Sequence, residues 1–101
     1  MYKTNGKTMQ ELVDSDKKWQ KLRDELRGTW KGNEFRNCHK LKQYMGGSVH
    51  SATNNQLVIV MNYLTGTGFR TGVIKSPEIT KLRKEISEEV KSRKENGKWF
   101  K

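Results

Sequence analysis

The sequence predicts a mainly α-helical fold, a compact bundle of about four helices around an uncharged central segment. Two features of the 101-residue chain support this prediction. Apolar residues recur at three- and four-residue spacing between residues that commonly begin and end helices. Residues 43–69 contain no Asp, Glu, Lys or Arg, although 32% of the chain is charged. Because a neutral segment is less costly to bury than a charged one, we expect residues 43–69 to form the hydrophobic core.

Two helices are expected near the N-terminus. Thr8 and Glu11 have the spacing of a capping box, in which a threonine hydroxyl and a carboxylate each accept a hydrogen bond from a backbone amide. The first helix should therefore begin at Thr8. The Asp-Ser-Asp triplet at residues 14–16 favours a local break. A second helix then covers residues 15–27, and Gly28 ends it.

A third helix is predicted between Asn33 and Gly46. Asparagine is a common N-cap residue, and the Gly-Gly pair at residues 46–47 is a helix stop signal. The apolar residues of this segment share one stripe, and the polar and charged residues lie opposite. The stripe consists of Phe35, Cys38, Leu41 and Met45.

The central apolar run is ambiguous between helix and strand. Its Leu-Val-Ile-Val sequence at residues 57–60 suits either kind of buried element. We favour a helix, because Thr53 and Gln56 again have capping-box spacing and Gly66 lies where a C-cap glycine would end a helix of ordinary length. The alternative is a small β-hairpin over residues 57–75, with its turn in the glycine-rich stretch.

The last helix has the clearest signals. Ser76 is a favourable N-cap residue, and Pro77 occupies the first helical position, where its missing amide costs nothing. A narrow apolar stripe follows at three- and four-residue spacing, and Asn96 and Gly97 end the helix. The stripe consists of Ile79, Leu82, Ile86 and Val90.

Composition indicates one small basic domain over residues 1–101, with frayed tails at 1–7 and 97–101. The net charge of +10 and the pI near 9.9 predict an acidic partner, nucleic acid first and an acidic protein surface second. A single cysteine excludes an internal disulfide and suits a reducing compartment. The longest apolar run, at residues 57–61, is too short to span a membrane, and no signal-peptide pattern is visible. We expect a cytoplasmic or nuclear protein that is not secreted and has no membrane partner.

Basic residues on helical faces are the candidate nucleic-acid contacts. Lys and Arg neutralise phosphates and release counterions, and this gain grows with the number of contacts. The candidates are Lys17, Lys18, Lys21, Lys31, Arg36, Lys40, Arg70, Lys81, Lys84, Lys91, Arg93 and Lys94, with Arg83 and Lys98 nearby. The alternative is that these side chains only solvate their helices, partly through intrahelical pairs such as Lys81 with Glu85. The candidates for base contacts are Arg36, Asn37, Arg70 and Asn96.

Aromatic side chains offer a second mode of contact. Trp30 and Trp99 lie next to lysines, in a turn and in the C-terminal tail, and are candidates for stacking on unpaired bases. Arginine neighbours would add cation–π attraction. The alternative is burial in the core, which is the usual place for a tryptophan at helical spacing such as Trp19.

The sequence predicts neither catalysis nor a metal site. Zinc sites need about four ligands with paired spacing, and Cys38, His39 and His50 do not provide them. The glycine-rich stretch at residues 66–72 lacks the Gly-Lys-Ser/Thr ending of a P-loop. No acid/base pair or activated nucleophile is recognisable, so we expect no enzymatic activity and no cofactor.

Residues 57–82 resemble a segment of the tyrosine recombinases and phage-type integrases. In that family an apolar helix runs into a Thr-Gly-x-Arg turn, which Thr67-Gly68-Phe69-Arg70 matches here. The match continues with Gly72-Val73-Ile74 and a following helix. The resemblance implies that Arg70 binds a phosphate of DNA. Because no tyrosine follows Tyr63 and no His-x-x-Arg box is present, it implies DNA binding without strand cleavage.

We therefore expect a small basic nucleic-acid-binding protein, with DNA favoured over RNA, that makes mainly phosphate contacts and is not an enzyme. The alternative is a protein-binding module or an inhibitor of a nucleic-acid-handling machine, of the kind that phages and other mobile elements encode. Its positive surface would then speed association with an acidic protein. The sequence leaves the oligomeric state open.

Overall fold

The chain is mainly α-helical in the computed structural model, which describes residues 8–66, 69, 72 and 74–100. The helices are α1 (Met9–Asp14), α2 (Lys17–Leu26), α3 (Glu34–Tyr44), a 3-10 helix (Val49–Ser51), α4 (Asn54–Leu64) and α5 (Pro77–Glu95). No strand occurs in these described ranges. The helical fold class is thereby confirmed. None of the described helices has both the length and the apolarity that a membrane span requires.

The two N-terminal helices are separated by adjacent capping residues, the C-cap of α1 and the N-cap of α2. Ser15 ends α1, and Asp16 begins α2 by accepting a hydrogen bond from the Trp19 amide at 2.9 Å. The predicted break is therefore confirmed. The start of α2 is two residues later than predicted, because the carboxylate of Asp16 rather than the hydroxyl of Ser15 provides the N-cap.

α3 differs from its prediction in how it is capped and in what it buries. Asn33 is the N-cap residue but makes no side-chain cap, because its Nδ2 donates to the Thr29 carbonyl oxygen at 2.9 Å. Phe35 was assigned to the apolar stripe, and this assignment is wrong, since its side chain is 74% exposed. Asn37 is fully buried in the same helix.

α4 is the central helix of the fold and lies inside the uncharged segment. Thr53 and Gln56 form a complete capping box, with amide-to-side-chain distances of 3.1 and 2.9 Å. Its buried residues are Leu57, Val58, Ile59, Val60, Met61 and Leu64. The prediction of a helix at residues 57–64 is confirmed, and the hairpin alternative is wrong. A helix with apolar residues on nearly all sides needs neighbours all round it, and it packs on α1 and α5.

α5 covers the core from outside. The Ser76 hydroxyl accepts from the Ile79 amide at 3.2 Å, with Pro77 at the first helical position. Its predicted apolar stripe is buried, and the helix packs against α3, α4 and the 3-10 helix. Apart from Pro77, all other positions of α5 are polar or charged. The longest helix of the described chain therefore presents most of its circumference to solvent.

The C-terminal residues are packed, which differs from the expectation of a frayed tail. The Lys98 amide donates to the Arg93 carbonyl oxygen at 2.8 Å, and the Lys98 carbonyl accepts from Asn54 Nδ2 at 2.9 Å. These bonds bring Trp99 against the core, where it is only 8% exposed. The N-terminal residues 1–7, also expected to fray, and Lys101 lie outside the described residues.

Candidate nucleic-acid interface

One side of α5 carries a continuous stripe of cations and hydroxyls, which we call the α5 basic face. Its members follow one another at steps of one, three or four residues, so they share one side of the helix. The α5 basic face consists of Thr80, Arg83, Lys84, Ser87, Lys91 and Lys94. All members but the partly buried Arg83 are exposed, and the exposed Glu88 and Glu95 border the stripe, four residues after Lys84 and Lys91.

The carboxylates of α5 lie mainly on its other flank, which faces α3 and the 3-10 helix. Glu85 lies 3.9 Å from Lys42 Nζ of α3, and Glu89 lies 2.6 Å from His50 Nδ1 of the 3-10 helix. Glu78, at the start of the same flank, is also partly buried. Three of the five carboxylates of α5 thus turn toward neighbouring elements. The other two, Glu88 and Glu95, are exposed beside the lysines.

The dimensions of the α5 basic face suit a nucleic-acid backbone. From Thr80 to Lys94 the helix rises about 21 Å, at about 1.5 Å per residue. Duplex DNA carries one negative charge per about 1.7 Å of its axis, so several phosphates fall within that length. Within the part of the chain that the structure describes, no carboxylate lies in ion-pair range of Lys84 or Lys91.

A shallow groove adjoins the N-terminal end of the α5 basic face. It encloses about 450 Å³ and is lined by Thr65, Phe69, Gly72, Ile74, Lys75, Thr80 and Arg83. Lys75 and Arg83 supply positive charge on this groove, while Phe69 and Ile74 supply apolar surface. Arg70, to which the recombinase resemblance gives the phosphate-binding role, lies outside the described residues, as do Thr67 and Gly68 of the same motif.

Arg93 is a structural residue rather than a surface contact, so its assignment to the interface is wrong. Its Nε donates to Glu89 at 2.8 Å, and its Nη1 donates to Asn54 Oδ1 at 2.8 Å. Its Nη2 donates to the carbonyl oxygens of Ala52 at 2.8 Å and His50 at 3.3 Å. The side chain is only 13% exposed. A guanidinium held by four acceptors has little capacity left for a phosphate.

The two tryptophans are also wrongly assigned, because both are buried. Trp30 is 4% exposed and Trp99 is 8% exposed. The Trp30 ring lies edge-on to Phe69, with ring centroids 5.1 Å apart, and its Nε1 donates to the Tyr63 hydroxyl at 2.8 Å. Neither indole presents a free face on which a base can stack.

Lys81 is exposed and lies at the border between the α5 basic face and the flank that faces α3. It lines a cleft between α3 and α5 together with Glu78 and Glu85. Two carboxylates so close reduce the local positive potential. We therefore exclude Lys81 from the α5 basic face.

The candidates on α2 and α3 form a mixed surface. Lys17, Lys18 and Lys21 are exposed on α2, but Asp24 and Glu25 are exposed on the same helix. Helical spacing puts Asp24 and Glu25 beside Lys21. Two further candidates, Lys31 and Arg36, are exposed, and Lys40 is partly buried. These cations are spread over α2, α3 and the turn between them, so they do not form one continuous stripe like that on α5.

The two asparagines proposed as base contacts have other roles. Asn37 is fully buried, and its Nδ2 donates to Thr29 Oγ1 at 3.1 Å. Its burial excludes it from an interface. Asn96 is exposed at the end of α5, where its Nδ2 donates to the Ser92 carbonyl oxygen at 2.7 Å. Neither asparagine lies on the α5 basic face.

Sequence reasoning included Lys84, Lys91 and Lys94 of the α5 basic face among many candidates, but it did not separate them from the other cations because it did not sort the charges around the helix. Lys75, Thr80 and Ser87 were not among the predicted contacts. Their hydroxyls and ammonium group are ordinary phosphate donors. The signal that identifies them is the angular position of every charge around the last helix, which the sequence already contains.

The described residues hold no site suited to metal chemistry or to thiol chemistry. No group of three or more His, Cys, Asp and Glu side chains lies close enough to hold a metal ion among them. Burial, with a smaller contribution from Glu78, raises the pKa of Cys38 to about 11. A thiol that stays protonated at neutral pH is a poor nucleophile.

Comparison with known proteins gives no assignment. No family model, curated protein or solved structure matches the chain. The resemblance of residues 57–82 to tyrosine recombinases therefore stays a prediction.

Proposed function

We propose that the chain binds nucleic acid through the phosphate backbone, with DNA favoured over RNA, and that the α5 basic face makes the contacts. One observation carries this proposal, namely that the stripe from Thr80 to Lys94 keeps four cations and two hydroxyls on one side of α5. Glu88 and Glu95 follow Lys84 and Lys91 at four-residue spacing, which is the usual arrangement of an intrahelical ion pair. In the described structure, however, no carboxylate lies within ion-pair range of either lysine, so both ammonium groups are available to phosphates.

The contacts would be electrostatic and largely independent of sequence. Lys84 and Lys91 act as compact charges on flexible stems, whereas the planar guanidinium of Arg83 suits bidentate contact with a phosphate. Thr80 and Ser87 donate hydroxyl hydrogen bonds that orient the backbone. No Asn or Gln lies on the α5 basic face to read adenine. Such contacts give weak binding, with Kd values of about 10⁻⁴ to 10⁻⁶ M at physiological salt.

The preference for DNA follows from the shape of the interface. The major groove of B-DNA is about 12 Å wide and admits an α-helix. The major groove of A-form RNA is deep and too narrow for protein side chains to read. α5 is long, exposed and carries its cations along its length, so B-form DNA is the better fit. The expected role of Arg70 supports the same choice.

A salt titration tests this proposal. Fluorescence anisotropy is measured with labelled duplex DNA and with duplex RNA of the same sequence, at several salt concentrations. Three to four phosphate contacts predict a slope of about −3 for log K against log salt, because each contact contributes about −0.9 on B-DNA. Absence of binding at low salt would contradict the proposal and leave the α5 basic face to an acidic protein partner.

A further inference from the structure

A cleft between α3 and α5 is bordered by an exposed aromatic ring. The cleft holds about 120 Å³, and its apolar lining includes Cys38 and Leu82. Phe35 stands at its edge and is 74% exposed, the one large hydrophobic side chain with such exposure among the described residues. Exposed aromatic side chains beside apolar clefts are typical of protein interfaces.

The fold gives no reason for an aromatic residue at this position. α3 contacts the core through Cys38 and Leu41, which are buried, while Phe35 projects away from that stripe. The ring contacts no other aromatic side chain of the described chain. Its apolar surface therefore remains available to a partner.

The charges around the cleft are balanced, unlike those of the whole molecule. Lys42 and Lys81 contribute two positive charges, and Glu78 and Glu85 contribute two negative charges. The chain as a whole carries +10. Two copies of such a chain repel each other over most of their surfaces. The four charged residues that line the cleft have no net charge, so they add no repulsion between two copies. A lysine of one copy can also lie opposite a glutamate of the other.

We propose that two copies of the chain associate through the cleft between α3 and α5 in a two-fold symmetric dimer. In an isologous interface the same patch of each copy contacts the other. The patch must therefore carry both a projection and a recess into which the partner's projection fits. Phe35 is the projection and the cleft is the recess. Lys81 of one copy then lies opposite the partner's Glu78, and the reverse contact forms by symmetry.

The dimer leaves the α5 basic face exposed. Glu78 and Glu85 lie on the side of α5 away from the basic face, and Lys81 lies at the border between the two. Burying one flank therefore keeps both basic faces of the dimer available. The inference does not depend on the proposed function, because association of two copies requires no nucleic acid.

A stable interface would occupy a substantial part of this small molecule. Standard interfaces bury roughly 800 Å² per partner, compared with 6648 Å² of accessible surface on the described chain. One exposed aromatic ring and a small cleft supply less apolar contact than most obligate dimers have. We therefore expect a dimer that dissociates on dilution.

Sedimentation equilibrium without nucleic acid tests the inference. Between about 10 μM and 1 mM the average mass should rise from 11.8 kDa toward twice that value. Phe35→Asp should weaken association about ten-fold or more, whereas Phe35→Tyr keeps the ring and should retain it. Because Phe35 is exposed, both variants should keep the circular-dichroism spectrum and the melting temperature of the parent chain at concentrations where the parent is a monomer.

A charge reversal tests the arrangement of the dimer. Lys81→Glu alone and Glu78→Lys alone should each weaken association, because like charges then face each other across the two-fold axis. The double variant restores opposite charges and should recover most of the dimer. A mass of 11.8 kDa at every concentration would overturn the inference, and so would a dimer that Phe35→Asp leaves unchanged. Neither result would affect a salt-dependent DNA titration.

Discussion

Arg93 Nε lies 2.8 Å from Glu89 Oε2, one helical turn earlier on α5. Both side chains are only 13% exposed. The same guanidinium donates to Asn54 at the start of α4 and to backbone carbonyl oxygens of His50 and Ala52. One side chain therefore joins α5, α4 and the 3-10 helix, and the pair is a centre of stability rather than of binding.

Removing Arg93 should destabilise the fold. Arg93→Ala removes the donor to Glu89 Oε2, to Asn54 Oδ1 and to two backbone carbonyl oxygens, and we expect a loss of about 2–4 kcal/mol in the free energy of unfolding. Urea unfolding followed by circular dichroism measures this loss. The matched control is Lys91→Ala on the exposed side of α5, which should change stability by less than about 0.5 kcal/mol. Equal effects of the two substitutions would contradict the structural role of Arg93.

Acid should weaken the same contacts. The hydrogen bond from Arg93, with a smaller contribution from His50, lowers the pKa of Glu89 below its usual value. Because the pKa of Glu89 is lower in the folded state than in the unfolded state, its ionised form stabilises the fold at pH values above the unfolded-state pKa. This stabilisation is lost as the pH falls through the folded-state pKa. Unfolding free energies measured between about pH 7 and pH 3 should therefore fall on acidification. Glu89→Gln should flatten this profile. A profile that the substitution leaves unchanged would contradict the assignment.

The hydrogen bond between Trp30 and Tyr63 should contribute to stability and not to binding. Tyr63→Phe leaves Trp30 Nε1 buried without its acceptor, which we expect to cost about 1–3 kcal/mol. A double-mutant cycle with Trp30→Phe should show coupling between the two residues in urea unfolding. DNA affinity should be unchanged in a Trp30→Phe variant that remains folded. A loss of affinity without loss of stability would restore the stacking role.

Cys38 should react slowly in the native protein. Its pKa near 11 results mainly from burial, so the thiolate is scarce at pH 8. Labelling by a disulfide reagent should be much slower in the folded chain than in denaturant, where the pKa returns to its ordinary value. Equal labelling rates would show that the α3 side of the cleft is open in solution.

The helices could be predicted from local sequence signals. The capping box at Thr53 and the Ser76-Pro77 start are short-range devices, so they act in the same way whatever surrounds them. The capping box at Thr53 also correctly favoured a helix over a strand for the apolar residues 57–64. The absence of charge from residues 43–69 located α4 at the centre of the core, but about half of the buried hydrophobic residues, such as Trp19, Leu41 and Ile86, lie outside that segment.

The roles of single side chains could not be predicted in the same way, because they depend on contacts between distant residues. The buried Trp30 donates a hydrogen bond to Tyr63, which is 33 positions later in the sequence. Arg93 donates to Asn54 and to the Ala52 carbonyl oxygen, which are about 40 positions earlier. Conversely, Phe35 has the spacing of a core residue but projects into solvent. Periodicity identifies a stripe, but only tertiary packing determines which members of the stripe are covered.

The most direct test of the central claim compares two pairs of charge reversals in one DNA-binding titration. Lys84→Glu with Lys91→Glu alters the α5 basic face, and Lys17→Glu with Lys21→Glu alters the mixed surface of α2. Both variants reduce the net charge from +10 to +6, since each reversal removes two charges.

If the α5 basic face makes the phosphate contacts, the α5 variant should lose at least about ten-fold in affinity for duplex DNA, and its salt slope should fall by about 2. The α2 variant should stay close to the parent chain in both quantities. Equal losses in the two variants would show that binding follows net charge alone, and would contradict a defined interface on α5.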